Sequence, residues 1–268
     1  MTRDTLQAGA LSTLVQANPW DQLRRHTAAR IALGRVGASL PTAEVLRLGL
    51  AHAQARDAVH QALDFAALHS QLAAAGWPVL RVRSQAHNRH TYLLRPDLGR
   101  RLHEDDSLRL RAQPAAAELA LVIADGLSSS AIQQHAQPLL SAFRARFDTD
   151  WARTPLVLAE QGRVALGDDI GAALRARLIV MLIGERPGLS SPASLGIYLT
   201  YAPRVGRMDS ERNCISNVRP EGLGYIEAAH KLDYLCRAAL RCQLTGVGLK
   251  DDSRLLTSEG DGRLDEVV

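Results

Sequence analysis

The sequence predicts an α/β protein: a Rossmann-like, mostly parallel sheet with helices on both faces, preceded by a small helical subdomain. Three observations carry this. Short, wholly apolar runs alternate with helix-length segments from Pro114 onward. The runs show no polar alternation, so both faces of each strand must be covered. Before Gly76-Trp77-Pro78, apolar residues recur mainly at helical spacing.

Residues 1–19 are weakly patterned and read as an N-terminal arm. Trp20, Leu23, Thr27 and Ile31 fit a first helix that ends at Gly34 and Gly37. Pro41-Thr42 opens a second, Ala43 to Phe65, and an Ala-rich third over Ala66–Ala75 stops at Gly76-Trp77-Pro78. Pro78 to Arg111 reads as a connector, with Val79, Arg81 and Arg83 in a candidate strand and Arg95-Pro96-Asp97 as a turn. Residues 20–110 are thus a helical subdomain and connector. A Rossmann-like domain follows over 111–249. Its expected strands are Leu121–Ala124, Thr154–Ala159, Arg177–Ile183 and Leu195–Tyr201. Its expected helices are Ile132–Phe147 behind the caps Ser128–Ser130, Asp168–Ala176, and Tyr225–Leu244. Residues 250–268 are charged and irregular, a polar tail.

Composition excludes several classes. Of the 268 residues 46% are hydrophobic, too many for a disordered chain, although 41 alanines and 4% aromatics keep the side chains small. The longest clean apolar stretch, Leu178–Ile183, falls far short of the roughly 20 residues that span a membrane. Gln7, Gln16 and Asn18 interrupt the start where a signal peptide needs an unbroken apolar run, so the cytoplasm is the expected location. The formal charge of +4 includes 30 arginines and only two lysines, Lys231 and Lys250, which reads as base composition of the genome. Few aromatics stand among the arginines to stack bases, so no nucleic acid is expected as partner. Cys214, Cys236 and Cys242 form no C-x-x-C pair and read as free thiols.

In an open α/β sheet, ligands bind beyond the carboxyl ends of the strands. Four polar or Gly-rich loops leave such ends: 125–129, 160–164, 184–189 and 203–217. They should converge on one edge. No G-x-G-x-x-G follows a strand, and neither a P-loop nor a G-x-S-x-G elbow occurs. His87 and His90 have helical spacing for a metal pair but lack a nearby carboxylate or cysteine set, so no metal site is expected.

The runs "VIADGLSS", "GRV", "IGERPGL", "YAPR" and "NCISN", in this order and spacing, resemble the small subunit of adenosylcobalamin-dependent ethanolamine ammonia-lyase. "ARIALGRVGASLPTAEVLRLGLAHAQARDAVH" and "RPDLGRRL" match the same family, so the resemblance spans about Asn18 to Leu249. It implies one half of a radical enzyme that converts ethanolamine to acetaldehyde and ammonia. The partner would be a large (α/β)8-barrel subunit in a hetero-oligomer, handling the substrate and holding the catalytic residues. This chain alone would be inactive. By motif, the implied cobalamin-binding positions are Val164 in "GRV", Glu185 in "IGERPGL" and Cys214 in "NCISN". No Asp-x-His-x-x-Gly run is present to displace the cofactor's own base, so base-on adenosylcobalamin is expected. In relatives the N-terminal arm is linked with packaging into a bacterial microcompartment, which stands beside the cytoplasm as a location. Apart from the resemblance, the same sheet edge would serve a stand-alone cobalamin or nucleotide-like binding module.

Overall fold

The computed structural model describes residues 14–114 and 116–253. The expected arm lies outside the described residues up to residue 13, and the expected tail from residue 254. The chain divides into two compact units, one formed by residues up to Asp57 with Gly188–Pro192, the other by Ala58–Pro187 and the residues from Ala193.

In the first unit, a 3-10 turn at Asp21–His26 stands where a full helix was expected, and helix α1 runs over Thr42–His60, ending beyond the unit border. Little is buried here. Trp20, Val45, Leu46 and Leu50 are all exposed, while Glu44 is buried against Arg24 and Arg47.

The second unit opens with α2 (Phe65–Ala74), capped by the Asp64 carboxylate, which accepts the Ala67 N–H at 2.9 Å. In chain order there follow β1 (Val79–Arg83), α3 (Arg89–Leu94), α4 (Glu104–Arg111), β2 (Leu119–Ala124) and α5 (Ser129–Arg144). Then come β3 (Leu156–Glu160), α6 (Leu166–Ala173), β4 (Leu178–Gly184), β5 (Leu195–Tyr201), β6 (Asn213–Val218) and α7 (Tyr225–Cys242). Ser128 caps α5 as its sequence position suggests.

The six strands form one sheet in the order β1-β3-β2-β4-β5-β6. Every residue of β2 and β4 is buried, as their unbroken apolar runs require. One face packs Leu121, Ile123, Leu158 and Leu182 under α2, α5 and α7. The other packs Val122, Val157, Ile179 and Met181 under α4 and α6.

The expectation of a mostly parallel sheet is corrected to a mixed one. β1–β3, β3–β2 and β2–β4 pair parallel, but β4–β5 and β5–β6 pair antiparallel. The reason lies in the β4–β5 connection. Residues 185–194 hold no helix, and a parallel return needs a crossover of a dozen residues or more. The chain therefore doubles back as a hairpin. Segment 203–217, expected as a loop leaving a strand's carboxyl end, starts instead at the opposite, amino edge of the sheet and runs into β6.

Where β5 leaves the sheet, Arg212 is buried and holds Asp168 of α6 in a bidentate pair at 2.6 and 2.7 Å. Its Nη1 also donates to Thr200 Oγ1 at 3.1 Å. Removing one partner strands a charge in a dry environment. Asp168→Ala is expected to destabilise the fold by about 3–5 kcal/mol in urea unfolding, with Asp168→Asn losing less.

Candidate functional site

From β2 the chain enters α5 on one face of the sheet, and from the adjacent β3 it enters α6 on the other. Such a divergence opens a crevice between the two carboxyl ends. Asp125, the first residue after β2, lies there with 1% exposure. Its Oδ1 accepts the backbone N–H of Gly126 and of Gly162, each at 3.0 Å, and the Gln161 N–H also reaches the carboxylate. One carboxylate thereby grips both loops. Arg89 of α3 completes the grip: its Nη1 lies 3.4 Å from Asp125 Oδ2 and donates to Gly126 O at 2.7 Å, while its Nε donates to Val59 O at 2.7 Å. Beneath them the buried Tyr92 donates its hydroxyl to Gly162 O at 3.1 Å, and Arg89 and Arg163 lie against its ring at 4.9 and 4.4 Å.

The loops after β2 and β4 meet backbone to backbone. Leu127 N–H donates to Gly184 O at 2.9 Å. A Cβ on Gly126, whose φ is +59°, would come 2.2 Å from Gly184 O, and one on Gly184 would come 2.1 Å from Ser128 O. Only glycine fits at either position. Glu185 follows directly, half-buried. Its Oε2 accepts Ser194 Oγ–H at 2.6 Å, and the Asn217 N–H donates to both carboxylate oxygens at 3.2 and 3.3 Å. The carboxylate is thus fixed between the start of β5 and the end of β6.

Beside it, Gly196 lets Glu185 and Tyr198 pack closely over the strand: a Cβ there would lie 3.1 Å from Glu185 Oε1 and 3.3 Å from the Tyr198 ring. Tyr198 pairs in register with Cys214 across β5–β6, and their side chains are hydrogen-bonded. Loss of hydration raises the Cys214 thiol pKa, the Tyr198 contact lowers it, and the nearby Glu185 charge raises it further. A thiol held in this way is not a ready nucleophile or thiolate ligand. Burial likewise pushes the Tyr198 phenol up.

The structure brings Glu185 and Cys214 into one neighbourhood, and Val164 packs with Tyr198 against the same apolar cluster. Cys214 lies on a strand, not on the long loop read from the sequence. Three of the four expected loops meet at the carboxyl edge, tied by Asp125 to Gly162 and by Leu127 to Gly184; the start of the fourth does not. Sequence reasoning places Asp125 on a ligand-edge loop without a role of its own, leaves Arg89 unassigned between partner and cofactor, and misses Tyr92 and Tyr198 as site residues. An Asp-Gly pair closing an apolar strand is the available signal for Asp125. Arg89 stands inside the "HNRH" run, where the spacing of the histidines draws attention first. His87 there bonds Thr91 at 3.2 Å, and no group of three or more metal-ligating side chains occurs among the described residues.

Residues 17–250 match the family described as Ethanolamine ammonia-lyase light chain (EutC). The chain belongs to this family. It is 57% identical to the ethanolamine ammonia-lyase small subunit of Azotobacter vinelandii over 250 residues, covering 91% of this chain and 93% of that one. The small subunit of Pseudomonas putida is 56% identical, covering 91% and 92%, and that of Pseudomonas syringae 54%, covering 91% and 87%. No helix among the described residues of this light-chain family member is long and apolar enough to cross a membrane.

Several buried polar atoms around the crevice have no partner among the described residues: Gln161 Oε1 at the end of β3, Ser129 Oγ at the start of α5, and Arg89 Nη2. Burial lifts the Asp125 pKa to about 6, against the pull of Arg89 and of the backbone N–H groups of Gly162, Gln161 and Gly126. Tyr92 also stands near it. The native chain therefore binds more protons at this group than the unfolded chain between about pH 4 and 6. Its contribution to stability is greatest below that window and falls as pH rises through it, by an amount on the order of 3 kcal/mol. Asp125→Asn should flatten that part of the curve of unfolding free energy against pH. An unchanged slope in the variant would exclude Asp125 as its source.

Proposed function

We propose that this chain is the small subunit of an adenosylcobalamin-dependent ethanolamine ammonia-lyase, walling the cofactor against a large (α/β)8-barrel subunit that holds ethanolamine and the catalytic groups. The observation that carries the reading is the carboxyl edge with the strip of sheet beside it, where Val164 and Glu185 stand on the loops after β3 and β4 and Cys214 on the exposed side of β6. A corrin carries a ring of amide side chains, each with donors and acceptors. The polar groups left unpaired at the crevice, one acceptor, one hydroxyl and one cationic donor, fit such a ligand. Gln161 Oε1, Ser129 Oγ and Arg89 Nη2 stand buried without partners among the described residues.

In this reading the cofactor domain is residues 111–249, with strands β2–β4 as its Rossmann-like part and β1, from the preceding connector, added at the sheet's edge. Glu185 accepts hydrogen bonds from corrin amides, with its carboxylate already oriented by Ser194 and Asn217. Val164 and Cys214 supply apolar contact and exclude water. The thiol stays protonated and does not ligate cobalt, in keeping with base-on binding. Bound adenosylcobalamin supplies the radical chemistry, and this chain supplies position and a dry wall.

The first compact unit supports a protein partner. Residues 14–57 leave Trp20, Leu23, Val45, Leu46 and Leu50 exposed, a density of apolar side chains that marks an interaction surface. The location in this reading is the cytoplasm, with packaging in a microcompartment as its refinement.

Three measurements test this. Co-expression with the large subunit should restore cobalamin-dependent release of ammonia from ethanolamine. Full activity of the large subunit alone would overturn the proposal, and tight cobalamin binding with no need of a partner would favour a stand-alone binding module. The double variant Leu46→Asp, Leu50→Asp should reduce co-purification with the large subunit by about tenfold or more, with helix content by circular dichroism unchanged.

A further inference from the structure

Val164, on the β3–α6 loop, has no polar side chain to fix its own position. Its loop is set from behind, at Gln161 and Gly162, by the Asp125 carboxylate. Gln161 has φ +55°, a left-handed conformation unusual for a side chain of its size. Such a conformation persists only where the surroundings over-determine it, and such residues cluster at ligand clamps. The over-determination is visible. The Gln161 and Gly162 N–H groups point at Asp125, the Tyr92 hydroxyl donates to Gly162 O, and the Arg163 N–H donates to Gly99 O at 2.8 Å. On the other side of the crevice the same carboxylate and Arg89 hold Gly126, whose neighbour Leu127 is bonded to Gly184, one residue before Glu185.

We infer that Asp125 and Arg89 are a positioning pair for the cofactor, presetting the β2–α5 and β3–α6 loops so that Val164 and Glu185 present one surface. The inference rests on the cobalamin reading above and assigns neither residue a contact with the reacting atoms. A chain of direct bonds runs from Arg89 through Asp125 to Gly162 on one side and from Arg89 through Gly126 towards Gly184 on the other. Removing the pair releases both sides at once. A general packing role would lower stability without altering how the folded complex holds its ligand.

The test uses the complex with the large subunit, carrying Asp125→Asn, Asp125→Ala, Arg89→Lys or Glu185→Gln in this chain. Cyanocobalamin affinity is measured by equilibrium dialysis well below each complex's melting temperature. Hydrogen exchange is followed on peptides covering residues 161–165. Asp125→Ala is expected to weaken cobalamin binding by roughly tenfold or more, the scale on which groups that orient a ligand from behind act. It should also speed exchange in 161–165 while leaving KM for ethanolamine unchanged. Asp125→Asn, whose amide oxygen still accepts from Gly126 and Gly162, should fall between wild type and Asp125→Ala. Arg89→Lys keeps a positive charge but cannot reach Val59, Asp125 and Gly126 together, so it should weaken binding as well. If Asp125→Ala does not assemble, Arg89→Lys decides alone.

Unchanged affinity and exchange in the Asp125 and Arg89 variants, with a lowered melting temperature, would overturn the positioning role. If Glu185→Gln then still weakens binding, the cobalamin reading survives that failure. If no variant changes affinity, the cofactor reading falls with it.

Discussion

Asp125 leaves water at the end of the first fully buried strand, and nothing in β2 can compensate its charge. Compensation has to come from neighbours: three backbone N–H groups, two of them from another loop, and a guanidinium from α3. A buried carboxylate is tolerated only when it is hydrogen-bonded and paired, so the loops are not free to choose their course. The crevice between β2 and β3 acquires its shape from that requirement. Tyr92 fills the space below, with Arg89 and Arg163 against its ring, and the glycines at 126 and 184 let the next loop close in. Hydrogen bonding and steric fit thus enforce the same arrangement.

The hairpin at β4–β5 has an equally direct effect. A fifth parallel strand would have needed a covering helix on the side where Tyr198 and Cys214 now lie. The antiparallel return dispenses with it. One side of β5–β6 is buried through Ile197, Ile215 and Val218 under α7, while Cys214 and Ser216 on the other reach the surface. The short connection therefore leaves an uncovered strip of sheet next to Glu185. Arg212 and Asp168 lock the far end of the same hairpin to α6, so the strip is held at both ends.

Much of this is legible in the residues. The unbroken apolar runs of β2, β3 and β4 and the caps at Ser128–Ser130 read directly, because burial and capping are local demands on sequence. Strand β5 is legible at Leu195–Tyr201, but its direction is not, since direction depends on a connection too short to cross over. Strand β6 is hidden because "NCISNV" offers a core only Ile215 and Val218. At the candidate site, the motif residues Val164, Glu185 and Cys214 come from resemblance, while the residues behind them do not. Arg89 and Asp125 are 36 positions apart, and no local pattern says that two such side chains meet. The aromatics behave likewise. They are few, yet Trp77, Phe143, Phe147 and Trp151 gather into one edge-to-face and stacked cluster on the α5 side of the sheet.

The apolar side chains left uncovered in the first compact unit have a consequence for how such a chain must be made. With so few of its described residues buried, the segment gains stability from anything that covers it, and its folded population rises with the supply of that cover. Chains produced in excess would present Trp20, Leu46 and Leu50 to one another, and self-association would compete with assembly. Synthesis matched to the supply of a covering surface then becomes a physical requirement of this face, set by mass action before any question of catalysis arises.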